Sequence, residues 1–133
     1  MKLNRQEPID RATIATMFER AEQAMGFTYP EPNKGYSVCA LSKNGALYEG
    51  ASYNSTTYTL TMHSEATALA NAAMHGDTDI VAITGPNCHI CKQLLWESAL
   101  KSGIDLLVIT EHDGEYTQTP ISELMPQAWP ELQ

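Results

Sequence analysis

Two short strings, His63-Ser64-Glu65 and Pro86-Asn87-Cys88-His89-Ile90-Cys91, constrain this chain more than anything else in it. They supply one imidazole, two thiols and a carboxylate. Zinc takes nitrogen and sulfur donors in a tetrahedral shell, and a catalytic zinc keeps three protein ligands and leaves its fourth position to water. His63, Cys88 and Cys91 make up that count for one Zn2+ per subunit, so the fold has to bring the two strings together. Glu65 then stays free to handle protons. A CxxC alone suits a redox or structural site equally well. The HxE string turns the reading toward a catalytic metal, because that chemistry needs all four groups.

A length of 133 residues is enough for one domain, 1–133, whose core needs no disulfide to hold it. Eight Lys and Arg against 16 Asp and Glu leave a net charge of -8. That balance repels polyphosphates, and with no basic run it argues against nucleic acid as a partner. A small neutral molecule is the expected substrate. Three cysteines, two of them in the CxxC, and no apolar leader after Met1 predict a reduced, cytoplasmic protein. No apolar stretch approaches the ~20 residues of a membrane span, so no membrane partner is expected.

Helix and strand signals alternate along the chain. Ile14, Met17, Phe18, Ala21, Ala24 and Met25 recur at helical spacing between Asp10 and Met25, with Gly26 as the stop. Pro30 and Pro32 make residues 27–35 an extended loop. Strands are expected over 36–42 and 46–53, joined by an Asn44-Gly45 turn. A helix over 63–75 would bury Ala66, Leu69, Ala70 and Ala73. Then come a covered strand over 80–84, a helix over 88–101, a strand over 106–110, a turn at Asp113-Gly114 and a short strand near 115–118. Thr119-Pro120 reads as the cap and first residue of a small last helix. The expected fold is α/β, a three-layer α/β/α sandwich around a mixed five-stranded sheet. Ligands of such sheets bind beyond strand ends where helices begin, and both strings lie at helix starts.

Cys88 and Cys91, three apart in a first helical turn, put both sulfurs on one side. The open amides there are expected to favour thiolates before any metal arrives. Two thiolates and a neutral imidazole cancel the charge of one zinc ion, which lets hydroxide form near pH ~7.

HxE and PCxxC strings mark the zinc deaminases, and along nearly its whole length this chain resembles the small cytidine deaminases. Tyr36-Ser37-Val38, with Pro32 upstream, resembles the family's aromatic-x-Val string. Cys91-Lys92-Gln93 resembles its Cys-Arg-Gln, with Glu97 at the family's distance. Glu123-Leu124-Met125-Pro126 resembles its Glu-Leu-Leu-Pro, with Trp129 where the family has an aromatic. The resemblance implies the cytidine deaminase fold, hydrolysis of a C–N bond of an aminated pyrimidine nucleoside with release of ammonia, and a homo-oligomer, tetramer or dimer. It implies Glu65 as catalytic proton shuttle and Tyr36, Ser52, Asn54 and Trp129 as candidate substrate contacts. Some members use a cysteine as first ligand and an arginine after the glutamate; here His63 and Ala66 change together.

Two departures bear on the substrate. The family's Gly-x-Asn-x-Glu string, which binds ribose, here reads Gly50-Ala51-Ser52-Tyr53-Asn54. A free base, a modified nucleoside or an antibiotic-like aminopyrimidine is therefore the alternative substrate, and a non-catalytic zinc protein the alternative class. Asn87 stands between Pro86 and Cys88, where the family joins proline directly to cysteine; it either caps the helix or reshapes the carbonyls facing the amine. The remaining polar candidates read as structural: His75 closes a helix, His89 is partly exposed or touches the pocket wall, His112 is solvated, Cys39 is a buried hydrophobe, and Trp96 is core or subunit contact.

Overall fold

The computed structural model describes residues 2–132. Its elements run β1 (Asn4–Arg5), α1 (Arg11–Ala24), β2 (Ser37–Ser42), β3 (Leu47–Ala51), α2 (Ser64–Met74), β4 (Ile80–Thr84), α3 (His89–Ser102), β5 (Ile104–Asp105), β6 (Leu107–His112) and β7 (Glu115–Pro120), with 3-10 turns at Met25–Phe27, Tyr58–Leu60 and Ile121–Leu124. Five strands form one sheet in the order β3-β2-β4-β6-β7. Only β4 and β6 are parallel neighbours; the other pairs are antiparallel. β1 and β5 pair separately.

The helices cover both faces, and β3 shows why. Neighbouring residues of a strand point to opposite sides. Glu49 meets Arg20 of α1 at 2.5 Å, while a Cβ on Gly50 would lie 2.1 Å from the Ser64 carbonyl and 2.4 Å from the Ala68 amide of α2. Helix α1 therefore lies on one side, α2 on the other. Helix α3 shares the side of α2, since its Cys91 touches His63. Ile14, Met17 and Ala21 of α1, Val38, Ala40, Ile83 and Ile109 of the sheet, Ala68 and Ala72 of α2, and Leu95 and Ala99 of α3 are among the residues of the core.

Local contacts fix several of the element ends. Asp10 caps α1 by accepting from the Thr13 amide at 3.1 Å and the Thr13 hydroxyl at 2.7 Å. Gly103 closes α3 with a φ of 77°. In the Asn44-Gly45 turn only Gly45 has a positive φ, 91°; Asn44 acts through its side chain, which accepts from the Ala46 amide at 2.9 Å and from the Ser42 hydroxyl.

Three expectations need correction. In α2 the buried residues are Ser64, Glu65, Ala68 and Ala72, whereas Ala70 and Ala73 are exposed and Ala66 and Leu69 half-buried. A helix this rich in alanine has too little contrast between its faces for periodicity to orient it, and contact with Gly50 decides instead. Thr119 and Pro120 start no helix: they stay in β7, opposite Val108 and Leu107. Proline is tolerated at the end of an edge strand, and only a 3-10 turn follows. β6 also runs two residues past Thr110, to His112. Among the described residues no helix is long and apolar enough to cross a membrane.

Candidate active site

Helices α2 and α3 begin side by side, and their starts form one wall of a cleft of about 500 Å³. His63 is the N-cap residue of α2 and Cys88 that of α3. His63 Nδ1 lies 3.2 Å from Cys91 Sγ and 3.5 Å from Cys88 Sγ. The three donor atoms are all within 4.8 Å of one another. Around zinc, bonds of ~2.0–2.3 Å in a tetrahedron set ligand atoms roughly 3.3–3.8 Å apart, so the donor set fits that ion in chemistry and the two imidazole–sulfur distances are close to that spacing. Among the described residues no fourth His, Cys, Asp or Glu joins the group.

The helix starts do not hold both sulfurs as ready thiolates, contrary to expectation. Burial, first of all, pushes the Cys91 thiol well up, and its hydrogen bond with Cys88 and the charge of Glu65 push the same way. Cys88 accepts from the Cys91 amide at 3.4 Å, a bond to the Cys88 sulfur and not to that of Cys91. A metal entering the site has to displace that proton. Cys39, by contrast, lies in the core, where burial lifts its thiol to about 12, which fits the inert role expected of it.

Glu65 is 6% exposed and lines the cleft. Both its oxygens are held: the Ser64 hydroxyl donates to Oε1 at 2.9 Å, and Asn87 Nδ2 donates to Oε2 at 2.7 Å. Asn87 also donates to the Thr84 carbonyl at 3.3 Å. It does not cap α3. The Cys88 side chain takes that place, and Asn87 Oδ1 is buried with no hydrogen-bond partner among the described residues. An orphaned buried acceptor costs about 1–3 kcal/mol, so stability alone does not account for this side chain. Neither Ser64 nor Asn87 stood out in the sequence as a partner of Glu65. The signals were present: a hydroxyl next to the carboxylate, and an extra residue before the cysteine.

The substrate candidates divide. Tyr36, Ser52 and Asn54 line the cleft with Thr61 and Val38. Tyr36 is 78% exposed at the rim. Ser52 is buried, and its hydroxyl accepts from the Tyr36 amide at 3.1 Å. Its backbone is tied as well, its amide to the Tyr36 carbonyl at 2.9 Å and its carbonyl to the Tyr29 amide at 3.1 Å. Trp129 lies outside the lining and is 76% exposed; its carbonyl accepts from Gln93 Nε2 at 2.6 Å. Trp96 is core, with its indole N–H on the Pro130 carbonyl at 2.8 Å. His89 and His112 are exposed, and His75 bonds the Asn71 carbonyl at 2.8 Å, as a helix-closing residue does.

No family model matches the chain. Solved structures share its fold: cytidine deaminase from Burkholderia pseudomallei, at 23% identity, has a TM-score of 0.71 over 86% of this chain and 98% of its own. Cytidine deaminase from Mycobacterium tuberculosis, at 19% identity, has 0.71 over 93% and 100%. A curated cytidine deaminase of Halalkalibacterium halodurans is 31% identical over 97 residues, which is 67% of this chain and 72% of that protein. That identity, on the mixed sheet and paired helix starts described above, makes the chain a member of the cytidine deaminase family.

Proposed function

We propose that this protein hydrolyses an aminated pyrimidine nucleoside of the cytidine or deoxycytidine kind, releasing ammonia. The observation that carries the reading is the placement of Glu65, a buried carboxylate held at both oxygens in the same cleft as a compact His-Cys-Cys donor set. His63, Cys88 and Cys91 would hold one zinc ion per subunit, which when bound makes water acidic enough to act as a nucleophile near neutral pH. The protein's own part is proton transfer. Glu65 takes a proton from the attacking water and gives it to the ring nitrogen beside the amino-bearing carbon. It then takes the second proton and delivers it to the amine as the C–N bond breaks, so that water and substrate become the oxo product and ammonia.

A second reading, a substrate without an ordinary ribose, is favoured by Ser52. Its hydroxyl accepts from the Tyr36 amide and is held against the wall, and the carboxylate of the family's sugar-binding string is replaced by Asn54. We propose as well that the protein acts in the cytoplasm as a homo-oligomer. Exposed Ala70, Ala73 and Met74 on α2, and Trp129 outside its own cleft, support the oligomer. In such an assembly Trp129 contacts substrate in a neighbour's cleft.

Ammonia release from cytidine, deoxycytidine, cytosine and N4-modified cytidines, measured alongside metal content with and without chelator, tests both readings. Turnover of the nucleosides with one zinc per chain supports the first, and preference for cytosine supports the second. Bound zinc without turnover of any of them leaves the non-catalytic class.

A further inference from the structure

We propose that Asn87 is a positioning residue for Glu65, a role that rests on the reading of Glu65 as proton carrier. Asn87 is 7% exposed and occupies the position that the family resemblance leaves unexplained. Its amide is oriented by acceptors alone: Nδ2 faces Glu65 Oε2 at 2.7 Å and the Thr84 carbonyl at 3.3 Å. Turning the amide over would set Oδ1 against both of those oxygens. The orientation that results leaves Oδ1 without a partner among the described residues, and the helix gains no cap from it, since Cys88 fills that place. Gly85 keeps the space open, because a Cβ there would lie 3.0 Å from Oδ1 and 2.7 Å from Val108.

The terminal torsion of a glutamate is broad, with no deep well to fix the carboxylate plane. One hydrogen bond from Ser64 leaves that plane free to swing about the held oxygen. A second, from Asn87 to the other oxygen, fixes it. Each oxygen retains a lone pair beyond the bond it accepts, so the carboxylate stays competent to carry a proton while its aim is set. Misplacing a reacting group by about 1 Å costs on the order of a hundredfold in rate, and Asn87 guards against that loss.

Steady-state kinetics on the zinc-loaded enzyme, with whichever aminopyrimidine it turns over best, test the proposal. Asn87→Leu keeps the volume without the donor, and Asn87→Ala serves if that variant does not fold. Expected are a kcat lowered about tenfold to a hundredfold, KM within about twofold and zinc content equal to wild type. The Asn87→Leu/Glu65→Gln double variant should be no slower than Glu65→Gln alone, as two residues acting through one step require. A crystal structure of the single variant should show the Glu65 carboxylate turned away from its present position. A kcat within twofold of wild type, a loss shared equally by KM, a loss of zinc, or a further tenfold loss in the double variant would each overturn it. If Glu65→Gln itself turns over like wild type, the reading of Glu65 fails and takes this proposal with it. An inactive Glu65→Gln beside a fully active Asn87→Leu removes this proposal alone.

Discussion

At one end of the cleft His63, Glu65, Cys88 and Cys91 stand on the first turns of α2 and α3. At the other, Tyr36, Ser52 and Asn54 stand where β2 begins and β3 ends. The start of α3 projects Cys88 and Cys91, three apart in sequence, to one side, and the packing of α2 beside α3 brings His63 to them. The strand ends turn their polar groups on one another: Ser52 bonds Tyr36 twice and Tyr29 once. One end of the cleft is a set of functional groups facing inward. The other is a wall whose backbone groups are tied to one another.

That contrast can be tested from both ends. The largest effect is expected at Glu65, where Glu65→Gln should lower turnover by ~10²–10⁴ and leave zinc content unchanged. A variant within tenfold of wild type would remove the distinction between a chemical end and a binding end.

Next comes Gly50, on which the chemical end leans. Gly50→Leu drives a side chain into the Ser64 carbonyl and the Ala68 amide, which are backbone and cannot fold away. Such overpacking costs about 1–3 kcal/mol, and because α2 carries both His63 and Glu65, zinc affinity should fall with the urea midpoint. Wild-type stability in this variant would mean that α2 is not seated by that contact.

Ser52→Ala should do less. It removes an acceptor for the Tyr36 amide, worth about 0.5–1.5 kcal/mol of stability, and should change kcat/KM for cytidine by no more than a few-fold. A KM raised tenfold for nucleosides but not for free cytosine would instead show Ser52 gripping the sugar, and the wall would have to be read as a binding surface.

The smallest effect belongs to a site remote from both ends. The hydroxyl and amide of Thr13 hold the carboxyl of Asp10 below its ordinary 3.8. A carboxylate whose folded pKa is lowered adds stability that is complete above the unfolded value and is lost as pH falls through the folded one. Asp10→Asn should therefore narrow the gap between urea midpoints at pH 5 and pH 3 without touching activity. An unchanged gap would show that the cap carries no charge-dependent stability.

How far the sequence could be read follows the same division. The element order and the two helix starts were legible because each depends on residues close together in the chain. So was the donor set, since HxE and CxxC each fix their own spacing. The buried face of α2 was not, because alanine offers no contrast and Gly50, on another element, chooses the face. Nor was the end of β7, where Thr119 and Pro120 obey pairing with β6 over their local preference for a helix start. Asn87 could be singled out as an extra residue, but its partner Glu65 lies 22 positions away.

The sequence by itself offered the three donor groups and the carboxylate beside them, and helical geometry converts the three-residue spacing of Cys88 and Cys91 into proximity. The tertiary structure alone decided what surrounds them. It buried Cys91 and pushed its thiol up, set the Ser52 hydroxyl to accept from a backbone amide, and set Asn87 against Glu65. Each of these depends on distant segments being packed together, where desolvation and hydrogen-bond competition act on groups whose identities were already fixed.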